Sequence, residues 1–102
     1  MKAKNKKPER GKKSYYVYLL LCDDGSYYTG YTNNVALRLE RHKKGYGARY
    51  TRMHGPNRVV HVEKLRTRSA ATRIEQQIKA LSHRVKHELV SIGSQPTPEM
   101  DD

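Results

Sequence analysis

A chain of 102 residues has room for one domain, and with 35% hydrophobic residues it can bury only a thin core. A formal net charge of +11 implies a polyanionic partner, and no apolar run approaches the ~20 residues of a membrane-spanning helix. The single cysteine, Cys22, excludes an internal disulfide and suits a reducing, cytoplasmic setting, nucleoid association included.

Residues 1–13 carry seven Lys/Arg, one Glu and almost nothing apolar, the composition of a disordered basic tail. They lack the apolar face that binding to a membrane surface requires. Residues 93–102 are polar, with two prolines and three acids, and form a second expected tail. Residues 14–92 between them make one expected domain, with 14 basic and 6 acidic residues, so it is basic without help from the tail.

Residues Tyr15 to Cys22 are a continuous apolar and aromatic run, and Tyr27 to Thr32 is a second β-prone run, so a hairpin is predicted. A two-residue Asp24-Gly25 turn would put Tyr18 and Tyr28 on opposite faces. A three-residue loop, Asp23-Asp24-Gly25 with Gly25 left-handed, pairs Cys22 with Ser26 and Tyr18 with Gly30. We expect the second. Tyr18 and Tyr28 then share a face, with open space over Gly30, while Val17, Leu19 and Leu21 face the core.

Asn33 or Asn34 can cap a helix running to about Lys44, with Gly45 as its stop. Val35, Leu39 and His42 lie on one stripe of it, with Arg38 beside them. Residues 45–57 are expected to be a basic connector. Arg58 to Leu65 is predicted as a third strand, with Val60 and Val62 alternating against His61 and Glu63. Ser69 caps the next predicted helix, whose core stripe is Ala71, Ile74, Ile78 and Leu81. Ser82 opens a last helix with Val85, Leu89 and Ile92 inward, ending at Gly93. The order β-β-α-β-α-α gives an α+β domain, a small three-stranded antiparallel sheet flanked by helices.

All eight tyrosines fall between Tyr15 and Tyr50, where basic residues are also dense. Lys43, Lys44, Arg49, Arg52 and Arg58 are interleaved with Tyr46 and Tyr50. This mix suits phosphate contact plus base stacking on an unpaired or distorted strand. His83 and His87 are spaced i,i+4, but two histidines without a third ligand do not make a zinc site.

Tyr16-Val17-Tyr18 and Tyr28-Thr29-Gly30, followed by Arg38, His42 and Glu75 in that order, resemble the GIY-YIG endonuclease superfamily. The stretches YYVYLLLCDDGSYYTGYTN, ARYTR and RIEQQIKALS are similar to its small stand-alone branch. Tyr16 stands where the family's name carries Gly, and no Asn follows Asn57. The resemblance implies a GIY-YIG nuclease-like fold and a metal-dependent DNA endonuclease of nucleic-acid processing or repair, using one Mg²⁺ or Mn²⁺ ion. Glu75 would offer a hard oxygen to that ion. Tyr18, its pKa lowered by basic neighbours, would accept a proton from the attacking water, and Tyr28 would orient water or phosphate. Arg38 would present its fork to the scissile phosphate, and His42 would contact phosphate or relay a proton. A catalytically silent DNA- or RNA-binding module of the same fold is the alternative. Many active relatives carry a second DNA-binding or dimerisation domain, so a protein partner is allowed for.

Overall fold

The computed structural model describes residues 14–93, and the two expected tails fall outside them except for Gly93, which ends the last helix. The elements are β1 (Tyr15–Cys22), β2 (Tyr27–Thr32), α1 (Val35–Lys43), α2 (Arg49–His54), β3 (Pro56–Leu65), α3 (Arg68–Lys79) and α4 (His83–Gly93). The sheet is antiparallel, in the order β2-β1-β3.

The β1–β2 loop is the expected three-residue one. The Cys22 N–H donates to the Ser26 carbonyl at 2.8 Å, and Gly25 sits at φ 87°, where a Cβ would be strained. Tyr18 therefore pairs with Gly30 and Leu20 with Tyr28. Alternation divides the sheet into two faces. Val17 and Leu19, both fully buried, join Tyr27, Ala71 and Ile78 in the core, with Ile74 of α3, Leu89 and Val90 of α4, and Leu81 of the turn between them packed against it. Tyr18, Leu20 and Cys22, also buried, point to the opposite face, where α1 packs.

Asn34 caps α1, its side chain accepting from the Leu37 N–H at 3.0 Å, and Gly45 follows the helix at φ 86°. Four expectations need correction. The connector contains a helix, α2, so the order is β-β-α-α-β-α-α. Thr67, not Ser69, caps α3, because its hydroxyl accepts from the Ala70 N–H at 3.0 Å. The ladder between β1 and β3 slips twice, leaving Val60 and Asn57 unmatched. The first bulge lets Val60 pack on the core but puts His61 opposite Leu19 and Val62, 45% exposed, opposite Tyr18. Finally, α4 is rotated from its expected stripe. Tyr27 hydrogen-bonds His87 Nδ1 at 2.8 Å and lies against the His83 ring, so Leu89 and Val90 face inward while Val85 and Ile92 stay exposed.

Candidate active site

The site is built on the sheet face away from the core. Tyr18 and Tyr28 are two register positions apart on neighbouring strands, and their ring centroids lie 6.3 Å apart. Gly30, opposite Tyr18, does not leave open space there. A Cβ on it would lie 2.7 Å from Tyr18 Oη and 2.9 Å from Tyr28 Cε2, so the two phenols already fill the room that the glycine provides.

Two residues of α1, one helical turn apart, descend on the Tyr18 hydroxyl. His42 Nε2 is 2.9 Å from Tyr18 Oη, and Arg38 Nε–H reaches the same oxygen at a longer 3.4 Å. His42 is 1% exposed, and burial followed by the Arg38 charge holds its pKa below the ordinary imidazole value. Tyr18, equally buried, is not the acidified phenol that basic neighbours were expected to produce. Burial dominates and pushes it up to about 12, although the hydrogen bond and charge of Arg38 pull the other way. Tyr18 is thus a neutral phenol held between a cation and a neutral imidazole.

Glu75 comes to the site from α3, over the β2 edge rather than from the side of the third strand. With Tyr28, Gly30, Tyr31, Thr32 and Arg38 it lines a cleft of about 370 Å³. Its side chain is 12% exposed, and Lys79 approaches it at 3.8 Å. Among the described residues no group of three His, Cys, Asp or Glu gathers here or elsewhere, so the donor set is one carboxylate beside an open cleft. That set suits a hard, hydrated Mg²⁺ or Mn²⁺ ion and does not suit zinc.

On the far side of Tyr28, α2 extends the aromatic surface. Tyr50 lies 6.0 Å from Tyr28 and stacks on His54 at 4.1 Å, and His54 is joined to Asp24 of the hairpin loop. Arg49, Arg52, Lys43, Lys44 and Tyr46 are exposed; Lys44, paired to Glu40 at 3.2 Å, and Tyr46 line a separate groove with Leu37 and Arg41. Arg58 does not join them. It pairs with Leu21 in β3 and therefore shares the core side of the sheet, exposed at its edge.

Two residues of the site were not singled out from sequence. Thr51, fully buried, hydrogen-bonds His42 Nδ1 at 2.8 Å. Gly47 runs so close above the same ring that a Cβ there would lie 2.7 Å from His42 Cε1 and would overlap Nδ1. The only sequence signals were a threonine inside Arg49-Tyr50-Thr51-Arg52 and the second glycine of Gly45-Tyr46-Gly47, neither of which reports proximity to His42.

Residues 14–88 match the family model described as the GIY-YIG catalytic domain. The UPF0213 protein BH0048 of Halalkalibacterium halodurans is 46% identical over 81% of this chain and 88% of its own length. A UPF0213 protein of Enterococcus faecalis is 47% identical over 76% of this chain and 90% of its own. The solution NMR structure of BH0048, from Bacillus halodurans, superposes with a TM-score of 0.53 over 81% of this chain and 88% of that one. That of EF2693 from E. faecalis, 43% identical, gives 0.54 over 80% and 88%.

Proposed function

The chain belongs to the GIY-YIG family, and on that footing we propose that it is a metal-dependent DNA endonuclease acting in nucleic-acid processing or repair. Membership supports a nuclease-type function on nucleic acid. The observation that carries the finer reading is the convergence of Tyr18, Tyr28, Arg38 and His42 beside the cleft that Glu75 lines. Hydrolysis of a phosphodiester needs an activated water, neutralisation of charge on phosphorus and release of an alkoxide. Arg38, partly buried and fixed by Tyr18, is suited to holding a phosphate oxygen. Tyr28, at the wall of the cleft, orients water or phosphate. Tyr18 takes a proton from the attacking water only if it passes on its own, and His42 is the adjoining neutral acceptor. Glu75 would hold Mg²⁺ or Mn²⁺, which when bound supplies positive charge at the phosphate. Lys43, Lys44, Tyr46, Arg49, Tyr50 and Arg52 bind the flanking strand through phosphate contacts and stacking.

A second reading, a catalytically silent DNA- or RNA-binding module, draws on the Lys79 ammonium near the Glu75 carboxylate, the only one lining the cleft among the described residues, and on the Tyr50–His54 stack. The test is cleavage in Mg²⁺ or Mn²⁺ of single-stranded, nicked, flapped and duplex DNA, with Glu75→Ala as control. We expect nicking that Glu75→Ala abolishes while folding and binding persist. Binding without cleavage on every substrate favours the binding module. Equal cutting by Glu75→Ala removes Glu75 from the metal site.

A further inference from the structure

We propose that Thr51 is a positioning residue that fixes the tautomer of His42, so that His42 Nε2 is free to take the Tyr18 proton. The inference rests on the nuclease reading above and concerns the wiring beneath it.

Direction follows from a chain of hydrogen bonds that ends at a group with no proton to give. The Thr51 Oγ1–H donates to the Ala48 carbonyl at 2.8 Å, since a carbonyl oxygen only accepts. Thr51 has one hydroxyl proton, so at its 2.8 Å contact with His42 Nδ1 it must accept. Nδ1 therefore carries the imidazole proton. In a neutral ring Nε2 is then bare, and at 2.9 Å it accepts from the Tyr18 hydroxyl. The chain runs from Tyr18 through His42 and Thr51 to the backbone at the α2 N-cap, Ala48. Gly47 closes over the ring from the same loop, at a distance no side chain would permit. Burial and the Arg38 charge keep the imidazole neutral, the state that the direction requires.

In the step itself, the water oxygen bonds to phosphorus as one of its O–H bonds breaks. That proton goes to Tyr18 Oη while Tyr18 gives its own to His42 Nε2. The bond from phosphorus to the leaving sugar oxygen breaks, and the alkoxide takes a proton from solvent. The His42 imidazolium, disfavoured by burial beside Arg38, returns a proton through Tyr18 to solvent, and the site is restored.

The test has two parts, both on the full chain. Nitrogen-15 NMR of the histidine rings reads the His42 tautomer without any substrate. We expect protonated Nδ1 and bare Nε2 in the wild type and in Thr51→Ser, and loss of that preference in Thr51→Val, which keeps shape but removes the acceptor. Single-turnover cleavage in saturating Mg²⁺ should fall about 100-fold in Thr51→Val with DNA binding retained, and Thr51→Ser should recover most of the rate. A wild-type His42 protonated at Nε2, or cleavage by Thr51→Val at the wild-type rate, overturns the proposal. If Thr51→Val does not fold, the wild-type tautomer and the Thr51→Ser rate decide: a bare Nε2 with most of the rate kept supports it, and a serine variant as slow as Tyr18→Phe overturns it. If the wild type cuts nothing, the nuclease reading fails and the catalytic role of Thr51 falls with it, while the tautomer measurement still reports whether the hydrogen bonds run as inferred.

Discussion

Tyr18 loses all but 1% of its exposure and keeps its proton, and this has two measurable consequences. Its folded pKa, about 12, lies above the ordinary 10.0, so the folded state holds the proton more tightly. The associated stability is complete below pH ~10 and is lost as pH rises toward ~12, on the order of 2 kcal/mol. Urea denaturation across that window should show the loss, and Tyr18→Phe should lack this component while keeping the packed ring. The same variant should cut DNA at least ~100-fold more slowly with binding retained, since only the relay oxygen is removed. Thr29 presents the opposite case. Its Oγ1 is buried on the core side of β2 with no hydrogen-bond partner. Thr29→Val removes that unpaired oxygen at nearly constant shape and should raise unfolding stability by about 1 kcal/mol. A loss in thermal denaturation would mean that the hydroxyl has a partner in solution.

Two elements differ from their sequence patterns in ways that substitutions resolve. The inward face of α4 is set by the Tyr27 contacts with His83 and His87, not by the apolar spacing of Val85, Leu89 and Ile92. Leu89→Ala should therefore cost about 2 kcal/mol, whereas Ile92→Ser, at a position 70% exposed, should stay within about 0.5 kcal/mol. Equal losses in chemical denaturation would restore the simple stripe. The joint between α1 and α2 depends on Gly47, because its missing Cβ is what allows the loop to pass over His42. Gly47→Ala should destabilise the fold by about 1–3 kcal/mol and disturb the Tyr18–His42 bond, whereas a change at Gly25 strains only the hairpin turn.

At the scale of the molecule, charge governs encounter and the sheet edge governs assembly of the site. With a net charge of +11, affinity for DNA should fall steeply with salt. Removing residues 1–13 takes away seven Lys/Arg, and each phosphate contact among them should account for roughly −0.7 to −0.9 of the log–log slope. A slope unchanged by the deletion, read by fluorescence anisotropy, would mean that those cations touch no phosphate. Glu75 of α3 lines the same cleft as Arg38 of α1, at the β2 edge of the sheet, although the two helices pack on opposite faces. Among the described residues, no helix is long and apolar enough to cross a membrane.

The hairpin register was legible in sequence because the length of Asp23-Asp24-Gly25 and the period of two fix every pairing once Gly25 is left-handed. The shared face of Tyr18 and Tyr28 followed, as did a cap at Asn33 or Asn34, of which the structure uses Asn34, and the Ala71–Ile78 stripe, since each is a local rule acting over a few residues. The β3 bulges, α2 and the turn of α4 were not legible, because packing against Leu19, His42 and Tyr27 outweighs their local patterns. Local chemistry also gave the wrong sign for the Tyr18 pKa. Basic neighbours can be counted along a chain, but desolvation is a property of everything folded around the phenol, and here it is the larger effect. The sequence by itself determined which groups are present and in what order along the strands and helices. Only the tertiary structure decided that Thr51 stands behind His42 and that Glu75 arrives over β2, because both contacts join elements whose relative placement no local rule specifies.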